Sequence, residues 1–223
     1  MAFRPVAAPL SGLVTKLGGQ PTWLEQPAWP QSTGYKVPMM FVGQFPVPGD
    51  GARMAYLFIT DDPDGIANSY EPEAGENALL IQPGGRIPSF LATRPDSTGP
   101  SLWRRGARWN EHVPVELRVE TSRLDPDEER ELENDIALRD AECAGVFLSP
   151  PDTGILPPYS YTGGRPHYWQ PSSGLSAPWR FFFQLDGSEG WDGEPYALNF
   201  GGGTGYAYLS PDEREGRFFW DCV

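Results

Sequence analysis

Apolar and polar positions follow two rhythms along this chain. Leu10, Leu13, Val14 and Leu17 recur at i, i+3, i+4 and i+7, with Gly18–Gly19 after them, which predicts one short helix. Beyond it the apolar runs become short and continuous. "MMFVGQF" (39–45) and "ARMAYLFIT" (52–60) flank "PVPGDG", a strand–turn–strand signal. "NALLIQPGG" (77–85) reads as a strand stopped by glycines, and "VPVELRVE" (113–120) alternates like a half-buried strand. One stretch returns to the helical period. In "LDPDEERELENDIALRDAECA", Asp125 is an N-cap, Pro126 takes the first helical position and Glu128 completes a capping box. Leu132, Ile136 and Cys143 form its apolar face, so an acidic helix is expected over about 125–143. From 179 onward, "WRFFFQLD", "YALNF", "YAYLS" and "RFFWDCV" predict a four-strand antiparallel meander that ties down the end of the chain.

Three of these blocks recur in order. "GGQPTWLEQP" (18–27) matches "GGRPHYWQP" (163–171), "FVGQF" (41–45) matches "FFFQL" (181–185), and "GARMAYLF" (51–58) matches "GTGYAYLS" (203–210). An ordered set of this kind indicates an internal duplication, with repeats at about 16–85 and 161–223. It also explains the glycines at 201–203 and 205. A phosphate-binding loop hands over to a helix N-terminus, whereas this run enters a strand and lacks a GK[ST] ending. These glycines are a turn.

Composition narrows the picture. Of 223 residues, 39 % are hydrophobic and 13 % aromatic, enough for a sizeable core, while 25 prolines and 26 glycines favour short elements. The net charge of −13 argues against general nucleic-acid binding and would attract a basic protein partner. Nine carboxylates stand against Arg130 and Arg139 between Asp125 and Glu142, so more than half of that charge belongs to one helix. Glu129, Glu133 and Asp140 are its candidate partner-binding residues; a purely solvated face is the competing explanation. No run approaches the ~18 apolar residues of a membrane span. Cys143 and Cys222 show no CxxC spacing and read as reduced thiols, which places the protein in the cytoplasm as an expectation.

Candidate chemistry is sparse. "TDDPDGIANSYE" (60–71) puts Asp62, Asp64 and Glu71 near calcium-loop positions, but Thr60 stands where aspartate is required. His112 and His167 are the two histidines, and no zinc-ligand spacing accompanies them. Neither metal nor cofactor is expected. His167 sits among aromatics inside a repeated motif, beside Trp169, and is the best single polar candidate. Gln44 and Gln184 occupy equivalent places in the two halves. Each either bonds backbone near the repeat interface or lines a cleft between the halves. "LWRRGARWN" (102–110) is the one basic aromatic patch, expected to make an intramolecular cap or carboxylate contact.

Taken together, "KLGGQPTWLEQPAWP", "FVGQF", "AYLF", "GENALLIQPGG" and "FFFQLDG…YALNFGGGTGYAYLSPDEREGRFFWDCV" resemble the YwqG-like family of bacterial proteins, over nearly the whole chain. The resemblance implies a single α+β domain with an internal duplication and brings no established activity. Some relatives are associated with contact-toxin loci, so it also implies an immunity or accessory role. The expectation is therefore one α+β domain, mainly antiparallel, built of two similar halves that could intertwine. Its expected function is non-catalytic binding of a basic protein. The alternative is a small-ligand binder or hydrolase-type enzyme using a cleft between the repeats.

Overall fold

The continuous apolar runs become strands buried on both faces. In the computed structural model, which describes residues 1–49, 51–62, 66–108, 110–146, 159–170, 174–187, 198, 200 and 202–222, the strands are arranged in four sheets. The larger sheet contains β1 (Ala2–Pro5), β2 (Lys16–Gly18), β4 (Met40–Pro46), β5 (Met54–Ile59), β6 (Asn77–Gln82) and β10 (Glu116–Glu120), in the order β1-β10-β2-β4-β5-β6. The second contains β11 (Tyr161–Thr162), β12 (Arg180–Asp186), β13 (Thr204–Leu209) and β14 (Gly216–Asp221), in chain order. Two small ribbons pair β3 (Trp29–Gln31) with β7 (Ala92–Arg94) and β8 (Trp103–Arg105) with β9 (His112–Pro114). The strand pairings are antiparallel.

The two main sheets share one core. Val42, Phe45, Leu57 and Ile81 of the first meet Phe183, Leu185, Ala207 and Phe218 of the second, with Phe45 and Phe183 stacked at 4.0 Å. Each sheet also buries its outer face. Trp23, Leu24 and Trp29 cover Tyr56, Phe58 and Leu80, while Tyr168, Leu175 and Trp179 cover Tyr206, Tyr208 and Phe219. Strands covered on both sides need no polar alternate, hence the unbroken runs "MAYLFI" and "TGYAYL".

The pairing patterns of the two sheets match position by position. In the first, Gln44 lies opposite Tyr56 and a bulge falls between Phe41 and Gly43. In the second, Gln184 lies opposite Tyr206 and the bulge falls between Phe181 and Phe183. Tyr56 then faces Leu80 on β6, and Tyr206 faces Phe219 on β14. The repeat as written from the sequence placed Tyr56 against Tyr208, two residues out of step. Residues two apart share a strand face, so "AYL" matches equally well in the wrong register.

The helix α1 (Pro126–Cys143) starts as expected, with the Asp125 side chain accepting from Asp127 N and Glu128 N and both halves of the capping box present. Leu132 and Ile136 are its buried seam, packed on Tyr161; the Cys143 side chain lies outside the described residues. It is the one α-helix among the described residues, so the balance is closer to all-β than to the expected α+β. The helix expected at Leu10–Leu17 is absent. Gly12 has φ +94°, and the chain is already extended at Lys16, whose Nζ is buried against Glu116 Oε1 at 2.7 Å and Leu10 O at 3.1 Å. The strand expected at 113–120 is divided between β9 and β10 at Val115, whose N–H turns to Leu102 O. Of the "YALNF" strand, residues 196, 197 and 199 lie outside the described residues, and β11 is the fourth strand of the second sheet. The glycine run does enter a strand: a Cβ on Gly203 would lie 1.8 Å from Asp221 O. Gly201 lies outside the described residues.

Candidate functional site

A glutamine holds together each half. Gln44 is fully buried; its Oε1 accepts from Thr22 N at 2.8 Å, and its Nε2 donates to Gly12 O and Val14 O. Gln184 is equally buried; its Oε1 accepts from His167 N at 2.9 Å, and its Nε2 donates to Tyr159 O. Thr22 and His167 each stand three residues after a double glycine, so each amide fixes the loop that covers its own sheet. A tyrosine adds to this in both halves: Tyr56 OH donates to Thr22 O, and Tyr206 OH donates to His167 O, both at 2.7 Å. Of the two roles open to these glutamines, the backbone bond is the one observed. Both amides use donor and acceptor on backbone partners, as a buried amide must.

The third member of each clamp could not be found from the repeat alone. Gln82 ends β6 and accepts from Leu24 N and Glu25 N, while Asp221 ends β14 and accepts from Trp169 N and Gln170 N. Aligning "ALLIQ" with "RFFWD" by strand position would have revealed the pair. Here the halves diverge chemically. Gln82 is neutral, but Asp221 is a buried carboxylate that also takes Tyr206 OH at 2.8 Å. Burial pushes the Tyr206 hydroxyl well above the usual phenol range, and the charge of Asp221 pushes it further.

The imidazole of His167 is an addition that Thr22 lacks. It is 1 % exposed and lies among Tyr159 and Trp169, with ring centres at 5.6 and 5.4 Å. Its Nε2 stands 2.8 Å from Asp135 Oδ2 on α1. Its Nδ1 has no hydrogen-bond partner among the described residues. The neighbouring imidazole holds the Asp135 carboxyl below the usual carboxylate range, burial opposes it, and Arg139 adds a smaller pull. Trp169 is half-buried, donates Nε1 to Thr204 Oγ1 and carries the Arg139 guanidinium 5.0 Å above its ring. Through these contacts α1 is attached to the second sheet.

Beside this junction is a groove of about 590 Å³. Leu124, Leu132 and Tyr161 line it, with Glu129, Glu133, Arg123 and Arg165 around them and Thr162–Gly164 along one wall. Gln44, Gln184, His167 and Trp169 do not line it. Glu129, Glu133 and Asp140 are all exposed on α1. Arg165 contacts two of them, at 2.7 Å to Asp140 and 3.9 Å to Glu133.

The other sequence candidates are structural. Asp62 is buried and accepts from Tyr35 OH and Ala67 N, and Asp64 lies outside the described residues. Among the described residues no three His, Cys, Asp or Glu side chains gather as a metal site. His112 stacks on Trp103 at 3.5 Å, and Trp103 Nε1 donates to Asp61 Oδ2, a carboxylate contact of the expected kind; Trp109 lies outside the described residues. No helix among the described residues is long and apolar enough to cross a membrane. No protein-family model, no curated protein and no solved structure matches this chain.

Proposed function

We propose that this chain is a non-catalytic binding protein of the cytoplasm, built by internal duplication, whose acidic helix docks a basic protein partner. The matched registers, bulges and glutamine clamps support the duplication, and the sequence motifs support membership of the YwqG-like family with its implied immunity or accessory role. One observation carries the functional reading. The segment Asp125–Glu142 carries nine carboxylates against Arg130 and Arg139, a net of −7, and Glu129, Glu133 and Asp140 are exposed on it beside the buried Leu132–Ile136 seam. The ion pairs to Arg165 do not cancel it. Arg165, Glu133 and Asp140 are each more than half exposed, and pairs of that kind contribute about 0–1 kcal/mol, so a partner's cations can replace Arg165 at little cost.

Summed negative charge of this kind speeds encounter with a basic surface. A basic protein retained from native extract and released by salt provides the assay. Replacing Glu129 and Glu133 with Gln and Asp140 with Asn should slow its association about tenfold at low ionic strength. The same changes should move folding stability by no more than about 0.5 kcal/mol. Equal association rates would sink the proposal. A small-ligand site is the second reading, favoured by the Nδ1 of His167, which has no hydrogen-bond partner among the described residues; a small molecule that stays with the purified protein, and is lost on His167→Thr, would favour it instead.

A further inference from the structure

We propose that the outer edge of β11 takes up an extended segment of the partner protein, paired antiparallel as β10 pairs with β2. The proposal rests on the correspondence of the halves and deepens the docking role assigned to α1.

The two double-glycine turns differ in what covers them. In the first half β10 lies on the outer edge of β2, with Leu117 opposite Leu17, Val119 N bonded to Thr15 O and Gly19 N bonded to Val115 O. A Cβ on Gly18 would strike Val115 O at 1.9 Å, and one on Gly19 would strike the Glu116 carboxylate at 2.4 Å. In the second half Gly163 and Gly164 have the same positive φ, +72° and +71° against +67° and +65°, yet a Cβ on either would meet nothing within 4 Å. Among the described residues β11 pairs only with β12, which leaves its other edge without a strand.

The backbone of that edge is oriented for pairing. Gly163 N donates to Phe182 O on β12, so by strand alternation the Thr162 N–H points the other way, and Gly164, whose positive φ takes it out of the strand, is placed outward by its likeness to Gly19, which donates to Val115 O. They correspond to Leu17 and Gly19, which face β10. Ser160, the counterpart of Thr15, marks where the open site starts: its carbonyl accepts from the Met1 amino group at 2.9 Å, where Thr15 accepts from Val119. The groove defines the occupant. Leu124, Leu132 and Tyr161 suit apolar side chains, while Glu129 and Glu133 suit a basic one. Arg123 and Arg165 stand on the same rim, and Arg165 is already engaged by α1. An extended segment bearing apolar and lysine or arginine residues fits this wall, a form of strand addition in which backbone bonds supply affinity and pockets supply selectivity.

The probe is the labelled peptide acetyl-KVKVKVK-amide, titrated against the full chain. Binding should fall about tenfold on Thr162→Pro, which removes an outward N–H at an edge position where proline is tolerated. Should that variant not fold, the wild-type chain still decides. Methylating alternate peptide nitrogens on the pairing edge should abolish binding, and equal binding of methylated and plain peptides would overturn the proposal. So would absence of binding by the plain peptide, or a dimer of this chain that Thr162→Pro disperses. The two proposals separate cleanly. A peptide with serine for lysine that binds as tightly, yet still needs its N–H groups, keeps the open edge and removes the basic-partner role. Binding that depends on Glu129 and Glu133 but ignores methylation does the reverse.

Discussion

The Gln44 and Gln184 halves solve the same packing problem with different chemistry. Each folds a loop back over the outer face of its sheet and fastens it with a glutamine, a tyrosine and an acceptor at the end of the third strand. In the first half every member is neutral, the imidazole is absent, and β10 closes the edge. In the second, the acceptor is Asp221, the loop carries buried His167, and among the described residues no strand pairs with the outer edge of β11. A neutral clamp fastens the loop of the first half. The ionisable groups and the open edge of the second are therefore where a role beyond folding is to be sought.

The largest effect that could break this comparison comes from the glutamines. Gln44→Glu or Gln184→Glu would place a carboxylate against backbone carbonyls in a fully buried site. Each should cost more than about 3 kcal/mol in denaturant unfolding. Gln44→Glu should cost more, because Gln44 donates to two carbonyls where one is described for Gln184. A loss below about 1 kcal/mol at either site would remove the clamp from the description.

A smaller effect sharpens the contrast. Tyr206 OH shares its one proton between a carbonyl and the Asp221 carboxylate, whereas Tyr56 OH meets a carbonyl, so Tyr206→Phe should destabilise by about 1–3 kcal/mol and Tyr56→Phe by about 1 kcal/mol. Both phenols are held above their usual range by burial, as are those of Tyr161 and Tyr208. A group whose pKa is raised on folding contributes fully below its unfolded value, so stability should decline as pH rises above about 10, where the unfolded chain loses these protons. Tyr206→Phe and Tyr56→Phe should each flatten that decline by about one proton's worth between about pH 10 and 12, where both phenols keep their protons in the folded protein. An unchanged slope in either variant would mean that its phenol titrates in its usual range in the folded protein.

The parts legible in the sequence are those set by neighbours in the chain. The cap at Asp125–Glu128, the strand runs and the GGxP and FxxQ blocks all depend on local pattern. Lys16 shows where pattern misleads: a helical spacing of Leu10, Leu13, Val14 and Leu17 coexists with a strand, because Glu116 and the Leu10 carbonyl hold the lysine in extended chain. The fates of His167 and Gln184 required tertiary placement. Burial of the imidazole depends on α1 bringing Asp135 against it, and neither residue's own segment records that contact. The outer edge of β11 was equally hidden, since among the described residues it lacks the strand that β10 supplies to β2.

Amide hydrogen exchange on the free protein tests the covered and open edges most directly. Leu17 and Gly19, beneath β10, should exchange slowly, at rates approaching global unfolding. Thr162 and Gly164 should exchange at least about a hundredfold faster and slow down when the lysine–valine peptide is added. Protection of Thr162 and Gly164 equal to that of Leu17 and Gly19 in the free protein would contradict the open edge.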